Sequence, residues 1–369
     1  MNTALRPLNL NAAPPSLSGA KYLLSYIVPG FAAFCLFSDS IWAWVAPIIA
    51  FVILPILELV MPAPVDNLSP DEEESLLQSR WYDLVVYSMV PFQLAMLAWY
   101  LYSNATIDKP LWLWGAHAAA MGLLSGIIGI NVAHELGHRR SRFEQNLSKI
   151  LLFTTLYMHF FIEHNRGHHN KVATADDPAS ARYGEWLYPF VARSIIFSWL
   201  DAWKLEATRL RAVERPIVSW HNEMLRFTVY QTAAVAAVFV IGGPWVAFSW
   251  LASAFLGILL LEVVNYLEHY GLSRQQLDNG RYERVQPVHS WNSNHLLGRM
   301  LLFELTRHSD HHANARRRYQ ILRHFDESPQ LPTGYPGMMV LATIPPLWFA
   351  VMHPHIERYR QRATTAVLR

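Results

Sequence analysis

Six long apolar stretches limit what this 369-residue chain can fold into. A helix needs about 20 mainly apolar residues to cross the hydrocarbon core of a bilayer. Hydrophobic residues make up 52% of the chain and charged residues only 16%, whereas a soluble domain has roughly 25% charged residues. The sequence therefore predicts an all-α membrane protein with six transmembrane helices, at residues 22–37, 41–61, 82–102, 111–132, 226–241 and 245–264.

The connections between these stretches predict the orientation. Three are short turns, and of the 30 lysines and arginines only Lys109 lies in one of them. Twelve basic residues lie in the single long segment 139–215. Because basic residues concentrate in cytoplasmic loops, the long segments and both termini are predicted to be cytoplasmic. This charge asymmetry also argues against the alternative that the stretches are buried helices of a soluble protein.

The same pattern predicts how the chain is divided. Residues 1–21 have no long apolar core of the kind found in signal peptides, so they are expected to form a cytoplasmic tail. Residues 22–266 would form the six-span bundle, with a cytoplasmic insertion at residues 139–225. Residues 267–369 would form a cytoplasmic C-terminal segment that completes a helical cap.

Nine of the 17 histidines lie in four short clusters. Neutral imidazole is the commonest protein ligand for metals and suits zinc, copper and iron. A tetrahedral zinc takes at most four ligands, so nine imidazoles exceed the needs of one metal and suit two. The candidate metal ligands are His134, His138, His164, His168, His169, His269, His308, His311 and His312.

The spacing within the clusters favours a dimetal site. His134 and His138 are separated by four residues and share one face of a helix. His164 and His168 repeat this spacing, and His169 is turned by about 100° on an α-helix, towards a second metal. The last cluster has the spacings i, i+3 and i+4. All four clusters fall on the predicted cytoplasmic side, so the sequence predicts one histidine-rich dimetal site there.

Polar residues next to these clusters are expected to support the ligands. A residue adjacent to a ligand on a helix points elsewhere, so the neighbouring carboxylates are predicted to hydrogen-bond the imidazoles and fix their tautomers. A direct or bridging role for one carboxylate remains open. The other eight histidines are predicted to have ordinary structural roles. The candidate supporting residues are Glu135, Glu163, Glu268, Asp310 and Asn294.

Two other classes of protein compete with the dimetal interpretation of these histidines. His134-Glu135-x-x-His138 is also the zinc-protease motif, with the glutamate as general base. That interpretation needs a further ligand and leaves seven histidines unexplained. A metal transporter would place its ligands near the bilayer midplane, whereas all four histidine clusters fall on one predicted face of the membrane. The single cysteine, Cys35, excludes a built-in iron–sulfur centre, so electrons must come from another protein or cofactor.

With these residues in view, the chain resembles the integral-membrane alkane 1-monooxygenases (alkane omega-hydroxylases). These belong to the wider group of membrane fatty-acid desaturases and hydroxylases, with which the three histidine boxes are shared. The segment Asn265-Tyr-Leu-Glu-His269-Tyr-Gly-Leu272 points to alkane hydroxylases within that group. The other matching segments are residues 134–139, 160–169, 289–295, 307–313 and 331–337.

The resemblance implies a site with two non-haem iron ions in a bacterial inner-membrane enzyme. It implies hydroxylation of medium- to long-chain n-alkanes to 1-alkanols with O2. It also implies rubredoxin as the electron donor, reduced by an NAD(P)H-dependent reductase. Since rubredoxins are acidic, Arg316, Arg317 and Arg318, with nearby Arg323, form a candidate docking patch, although a solvated basic face explains this run equally well. The alternative activity is that of a membrane fatty-acyl desaturase or hydroxylase.

Overall fold

The computed structural model describes residues 17–367, so most of the predicted N-terminal tail lies outside the described residues. The described chain is helical and contains no β-strand, only two isolated β-bridges. We number the main helices α1 (Lys21–Leu36), α2 (Ile41–Val60), α3 (Pro70–Gln78), α4 (Trp81–Thr106), α5 (Leu111–Gly137), α6 (Arg142–Thr154), α7 (residues 160–171), α8 (Leu187–Ala212), α9 (Glu223–His269), α10 (Leu296–Leu301), α11 (His308–Ala313), α12 (Tyr335–Ala342) and α13 (Pro345–Val367). Short turns of helix also occur at Leu17–Ala20, Pro287–His289 and Tyr319–Ile321.

Four helices in the described chain are long and apolar enough to cross a bilayer: α2, α4, α5 and α9. Helix α1 is apolar but shorter. Helix α9 has 47 residues, which corresponds to about 70 Å at 1.5 Å per residue, about twice the thickness of a hydrocarbon core. The sequence predicted six separate spans. The structure has four helices of spanning length, because α1 falls short and the last two predicted spans are arms of α9.

The two arms of α9 meet at Gly243, where the predicted turn lies. Gly243 has φ 84° and ψ 175°, a backbone conformation outside the helical region. Glycine adopts positive φ without the steric penalty of a side chain, and the following Pro244 has no N–H to continue the helical hydrogen bonds. The break therefore follows directly from the Gly-Gly-Pro sequence, and each arm is short enough to cross a bilayer separately.

Helix α5 is the central helix of the bundle. In its most apolar window 72% of the residues are buried, against 33–44% for the other three spanning helices. Glycines let it pack closely on α9: a Cβ at Gly257 would lie 2.5 Å from Ser125 Cβ, and one at Gly122 would lie 2.6 Å from Leu256 Cβ. Small residues of this kind permit close helix packing in membranes. Helix α5 is thus fixed against α9, and both helices end at the histidine clusters.

Helix α3 connects the bundle to the C-terminal segment. It starts with a capping box, in which Ser69 Oγ accepts a hydrogen bond from Glu72 N and Glu72 Oε2 accepts one from Ser69 N. Further along α3, Glu73 forms ion pairs with Arg317 and Arg323. The acidic run of α3 therefore holds the segment that follows α11.

Candidate metal centre

Nine imidazoles converge at the ends of α5 and α9, in two groups. Within each group the ligand nitrogens lie within 4.8 Å of one another. The first group is His134, His138, His164, His169 and His311. The second group is His168, His269, His308 and His312. These are the nine histidines singled out in the sequence, and none of the other eight joins either group among the described residues.

An irregular turn of α7 distributes one cluster between the two groups. On a regular α-helix His164 and His168 would share a face. Here residues His164–His168 form a π-helical turn, and His169 N donates a hydrogen bond to the carbonyl of His164. The i, i+5 spacing brings the Nε2 atoms of His164 and His169 to 3.1 Å from each other. His168 consequently faces the other group, so this turn supplies ligands to both.

Helix α11 also supplies both groups, with α-helical spacing. His308 and His312 are four residues apart and lie in the four-histidine group. His311 turns the other way, and its Nε2 lies 2.9 Å from His134 Nε2 and 3.1 Å from His169 Nε2. The structure therefore joins α5, α7 and α11 in the five-histidine group. It joins α7, α9 and α11 in the four-histidine group.

The protonation of these imidazoles suits metal binding. Burial lowers the pKa of His138 to about 3, and it lowers the pKa values of His164, His311 and His312 well below the usual range, with neighbouring histidines adding to the effect. A neutral imidazole has a lone pair for a metal but only one N–H. Both ring nitrogens of His312 are buried with no hydrogen-bond partner among the described residues. Such a donor set fits two metal ions.

Asp177 is a site residue that the sequence analysis missed. Its Oδ2 lies 2.9 Å from His168 Nδ1 and accepts a hydrogen bond from Ser180 Oγ at 2.6 Å. Although burial acts to raise the pKa of Asp177, the His168 imidazole and these hydrogen bonds hold it below its usual value. The carboxylate fixes the tautomer of His168, with Nε2 towards the other ligands. Asp177 lies in a turn-rich segment eight residues after His169, without a periodic signal that would reveal it.

Glu268, one of the supporting residues proposed from sequence, contacts a ligand histidine directly. Its Oε2 is 3.1 Å from His308 Nε2, and that nitrogen is 3.3 Å from His269 Nε2. Tyr335 Oη donates a hydrogen bond to the other carboxylate oxygen at 2.9 Å. Glu268 therefore contacts the ring nitrogen that faces the four-histidine group, rather than the outer nitrogen of the ring.

The remaining supporting candidates have other partners. Glu135 accepts hydrogen bonds from Arg139 Nε and Nη2, so its carboxylate is directed away from the imidazoles. A protease general base would have to lie beside the metal, which this arrangement does not favour. Asp310 accepts a hydrogen bond from Arg323 N. Asn294 donates hydrogen bonds to His324 Nδ1 and to the side chain of Gln330.

Glu163 lies beside a small enclosed polar cavity on one side of the imidazoles. Its Oε1 is buried with no hydrogen-bond partner among the described residues, and burial raises its pKa, with Asp177 and other carboxylates adding to the effect. Tyr157 also lines this cavity and donates a hydrogen bond to Glu262 Oε1 at 3.0 Å. His164 and His168 lie on its wall, so polar groups approach both histidine groups from this side.

An apolar cavity approaches the histidines from the bundle. It ends on His134, His164 and His308, and so reaches imidazoles of both groups. Leu123, which also lines it, precedes His134 by eleven residues of α5, or about 16 Å along the helix. The rest of its wall is almost entirely aliphatic or aromatic, and includes Ala50, Phe51 and Leu54 of α2, Ile127 and Ile130 of α5, and Leu260, Leu261 and Val264 of α9.

A basic surface basin reaches the five-histidine group at His138. His138 lies on its wall, together with exposed Arg140 and Arg316. No ion pair is found for these two arginines among the described residues. The other predicted docking arginines are paired: Arg317 contacts Glu73 and Asp310, Arg318 contacts Asp83, and Arg323 contacts Glu73. Arg139, Arg166, Arg209 and Arg226 complete the basic lining of the basin.

Comparison with known proteins identifies the family. Residues 110–342 match the family model described as fatty acid desaturase. Alkane 1-monooxygenase 2 of Pseudomonas aeruginosa is 43% identical over 86% of this chain and 85% of its own length. Alkane 1-monooxygenase of Ectopseudomonas oleovorans is 38% identical over 94% of this chain and 88% of its own length.

A more distant relative has a different name. The xylene/toluene monooxygenase hydroxylase component XylM of Pseudomonas putida is 28% identical over 94% of this chain and 91% of its own length. The alkane monooxygenases are thus clearly more similar to this chain than XylM is, and the resemblance seen in the histidine clusters is confirmed over most of the sequence. The chain belongs to the alkane 1-monooxygenases, oxidoreductases within the fatty acid desaturase family.

Proposed function

We propose that this enzyme hydroxylates the terminal carbon of medium- to long-chain n-alkanes to give 1-alkanols. The observation that carries the proposal is the apolar cavity that ends on imidazoles of both histidine groups. An alkane has no polar group to bind, so only shape and apolar contact can position it. A cavity of this form presents one end of a linear chain to the metal centre.

Two non-haem iron ions are proposed as the cofactors. The nine histidines would divide as five and four. The carboxylate of Glu268 would complete the four-histidine group, since its Oε2 lies beside His308 Nε2, the nitrogen that also lies near His269 Nε2. Imidazole ligands suit iron, which would supply O2 activation when bound there. Asp177 would orient His168, and the Glu163 carboxyl group would lie beside the ligands with its Oε1 available for a hydrogen bond.

The overall reaction consumes one O2, two electrons and two protons, and forms one alkanol and one water. The bound irons would supply the O2 activation that breaks the terminal C–H bond. The apolar wall excludes water from the reacting carbon, and its shape holds the chain so that the methyl end approaches first. Phe160, His164 and Asn265 line both the apolar and the polar cavity, and so lie between the two.

The membrane arrangement proposed from sequence fits this chemistry. We infer six spans within residues 22–266, with α1 and the two arms of α9 crossing separately, and both termini on the cytoplasmic side of a bacterial inner membrane. Residues 1–21 would be the N-terminal tail. The insertion at residues 139–225 and the segment 267–369 would form the helical cap that encloses the metal site. Lipid would then store the substrate, while electrons arrive from the cytoplasm.

Turnover of two substrate classes tests the proposed activity. The purified enzyme, supplied with O2 and a reducing system, is expected to convert a liquid n-alkane to the 1-alkanol. It should leave a saturated acyl thioester unchanged. Desaturation or hydroxylation of the thioester, without alkanol formation, would instead support the fatty-acyl desaturase or hydroxylase alternative.

Rubredoxin is proposed as the electron donor, with the basic basin as its docking surface. The basin leads from solvent to His138, and exposed Arg140 and Arg316 offer positive charge that no ion pair in the described chain neutralises. An acidic donor would be steered to this surface. Because Arg317 and Arg318 are engaged in ion pairs, we assign the docking role first to Arg316 and Arg140.

Reversing these two charges is expected to weaken donor binding selectively. The Arg140→Glu/Arg316→Glu variant should raise the KM for rubredoxin by about tenfold at low salt, with kcat nearly unchanged, because long-range attraction mainly affects association. Added salt should reduce the difference between variant and wild type. Arg281→Glu, which reverses an exposed charge outside the basin, is the control. Equal KM values for both variants would contradict this docking surface.

Truncating Asp177 is expected to lower metal affinity without removing a ligand. Loss of a carboxylate that orients a ligating histidine typically costs about 10–100-fold in affinity or activity. We expect Asp177→Ala to lose iron to a chelator at lower chelator concentrations than wild type. The adjacent, exposed Asp176 provides the control Asp176→Ala. If both variants retain iron equally well, Asp177 does not support the centre.

A further inference from the structure

Helix α2 carries a single charged side chain, Glu58, within an otherwise apolar sequence. Its residue is only 1% exposed. An ionisable group in a membrane-spanning helix is costly, and such groups usually have a specific partner or role. Neither histidine group contains Glu58, and the proposed chemistry does not use it. Its contacts therefore require a separate explanation.

The carboxyl group of Glu58 meets two distant parts of the C-terminal segment. Its Oε1 accepts a hydrogen bond from Gly298 N at 2.7 Å, across 240 residues of sequence. The same carboxyl group lies directly against Gly334, where an added Cβ would overlap Oε2. A Cβ at Gly298 would also lie only 2.9 Å from Oε1. Two glycines thus create the space that the carboxyl group fills.

Both glycines stand at the starts of helices. Gly298 is the third residue of α10, where a backbone N–H has no partner within the helix. Gly334 immediately precedes α12 as its N-cap. A side-chain oxygen near the N-terminus of a helix can accept a hydrogen bond from one of these unpaired N–H groups. One carboxylate from α2 therefore caps α10 and lies at the start of α12.

Helices α10 and α12 form part of the apolar cavity wall. Gly298 and Leu301 of α10 and Pro336 and Met339 of α12 line the cavity, as does Leu54, one turn before Glu58 on α2. Helix α11, with its three histidines, lies between α10 and α12 in the chain. The position of this wall relative to the metal ligands thus depends on how α10 and α12 are held against α2.

We propose that Glu58 is a positioning residue that clamps α10 and α12 onto α2 and so sets which substrate carbon reaches the metal centre. The clamp itself follows from the contacts of one carboxyl group with Gly298 and Gly334. Its effect on the reacting carbon rests on the proposed function, because a looser wall would let an alkane slide and present its second carbon.

Amide hydrogen exchange tests the clamp independently of activity. In metal-free and metal-loaded protein, Glu58→Ala should speed exchange in residues 296–301 and 335–342 by about tenfold, a loss typical of a missing helix cap. Gly334→Ala should act similarly, because its methyl group displaces the carboxyl group. Glu58→Gln keeps the acceptor for Gly298 N and should stay close to wild type.

The double variant Glu58→Ala/Gly334→Ala separates a clamp from general loosening. The added methyl group then meets no carboxyl group, so exchange should match that of Glu58→Ala alone. Independent sites would give additive effects, and additivity would overturn the clamp. Unchanged exchange in Glu58→Ala would overturn it as well.

Product analysis tests the effect on the reaction. With iron content unchanged, Glu58→Ala should raise the proportion of 2-alkanol relative to 1-alkanol, and Glu58→Gln should restore the terminal product. Faster exchange with an unchanged product ratio would overturn the positioning role. If the wild-type enzyme forms no alkanol, the proposed function fails, while the exchange data still decide the clamp.

Discussion

Replacing His168 or His312 with alanine is expected to remove iron and to abolish alkane turnover. Both side chains belong to the four-histidine group, so either change leaves three imidazoles there. Removing a residue that merely orients a ligand costs about 10–100-fold in affinity or activity, so losing a ligand should cost more than about 100-fold. Elemental analysis of the purified variants, together with alkanol formation, measures both effects.

A histidine outside both groups provides the control for these variants. His355 lies on α13, where its Nδ1 contacts the carbonyl of Val351. His355→Ala should keep wild-type iron content and turnover. Retention of full iron content in both His168→Ala and His312→Ala would contradict the assignment of the four-histidine group as a metal site.

Enlarging Ala50 is expected to shorten the longest alkane that the enzyme accepts. Ala50 lines the apolar cavity on α2, where a phenyl ring would occupy space that the chain needs. Each methylene that no longer fits a hydrophobic pocket changes specificity by about 10–200-fold. Ala50→Phe should therefore lower kcat/KM for long alkanes by at least about tenfold, with a smaller effect on short ones.

Substrate-length profiles of two matched variants decide this prediction. Ile53 lies three residues further along α2, but its side chain is 42% exposed on the outside of the helix bundle. Ile53→Phe adds the same ring without entering the cavity and should leave the profile unchanged. If Ala50→Phe keeps the wild-type preference, the substrate does not occupy this cavity.

Sequence patterns predicted which nine histidines come together, because each histidine cluster is local. Imidazoles at short spacings on a helix must lie near one another, whatever the rest of the fold does. How they divide between two groups was not predictable, since it depends on the π-helical turn at His164–His168. That turn pairs His164 with His169 and directs His168 to the other group, against the α-helical expectation.

Features that depend on tertiary packing were harder to predict from the sequence. Asp177 supports His168 from an irregular loop, and no periodicity in its segment indicates this contact. The span count depended on Gly243, where one residue with positive φ separates two helical arms without a loop. The cavity-lining residues Ala50 and Leu123 lie in uniformly apolar helices, so hydropathy alone could not distinguish inward-facing from lipid-facing positions.

The two histidine groups stand between two different environments. The apolar cavity reaches them from the bundle, and the basic basin reaches His138 from the surface. The proposed reaction needs this separation, because the hydrocarbon must stay dry while the proposed donor delivers electrons from water. The central claim is therefore that this one site holds two irons.

Metal content and type in the detergent-purified wild-type protein, measured by elemental analysis with Mössbauer spectroscopy, test that claim most directly. We expect two non-haem iron ions per chain, bound by the nine histidines. A single tightly bound zinc, retained in His168→Ala and His312→Ala but lost in His134→Ala, would contradict the di-iron centre and favour the zinc-protease interpretation of the first histidine cluster.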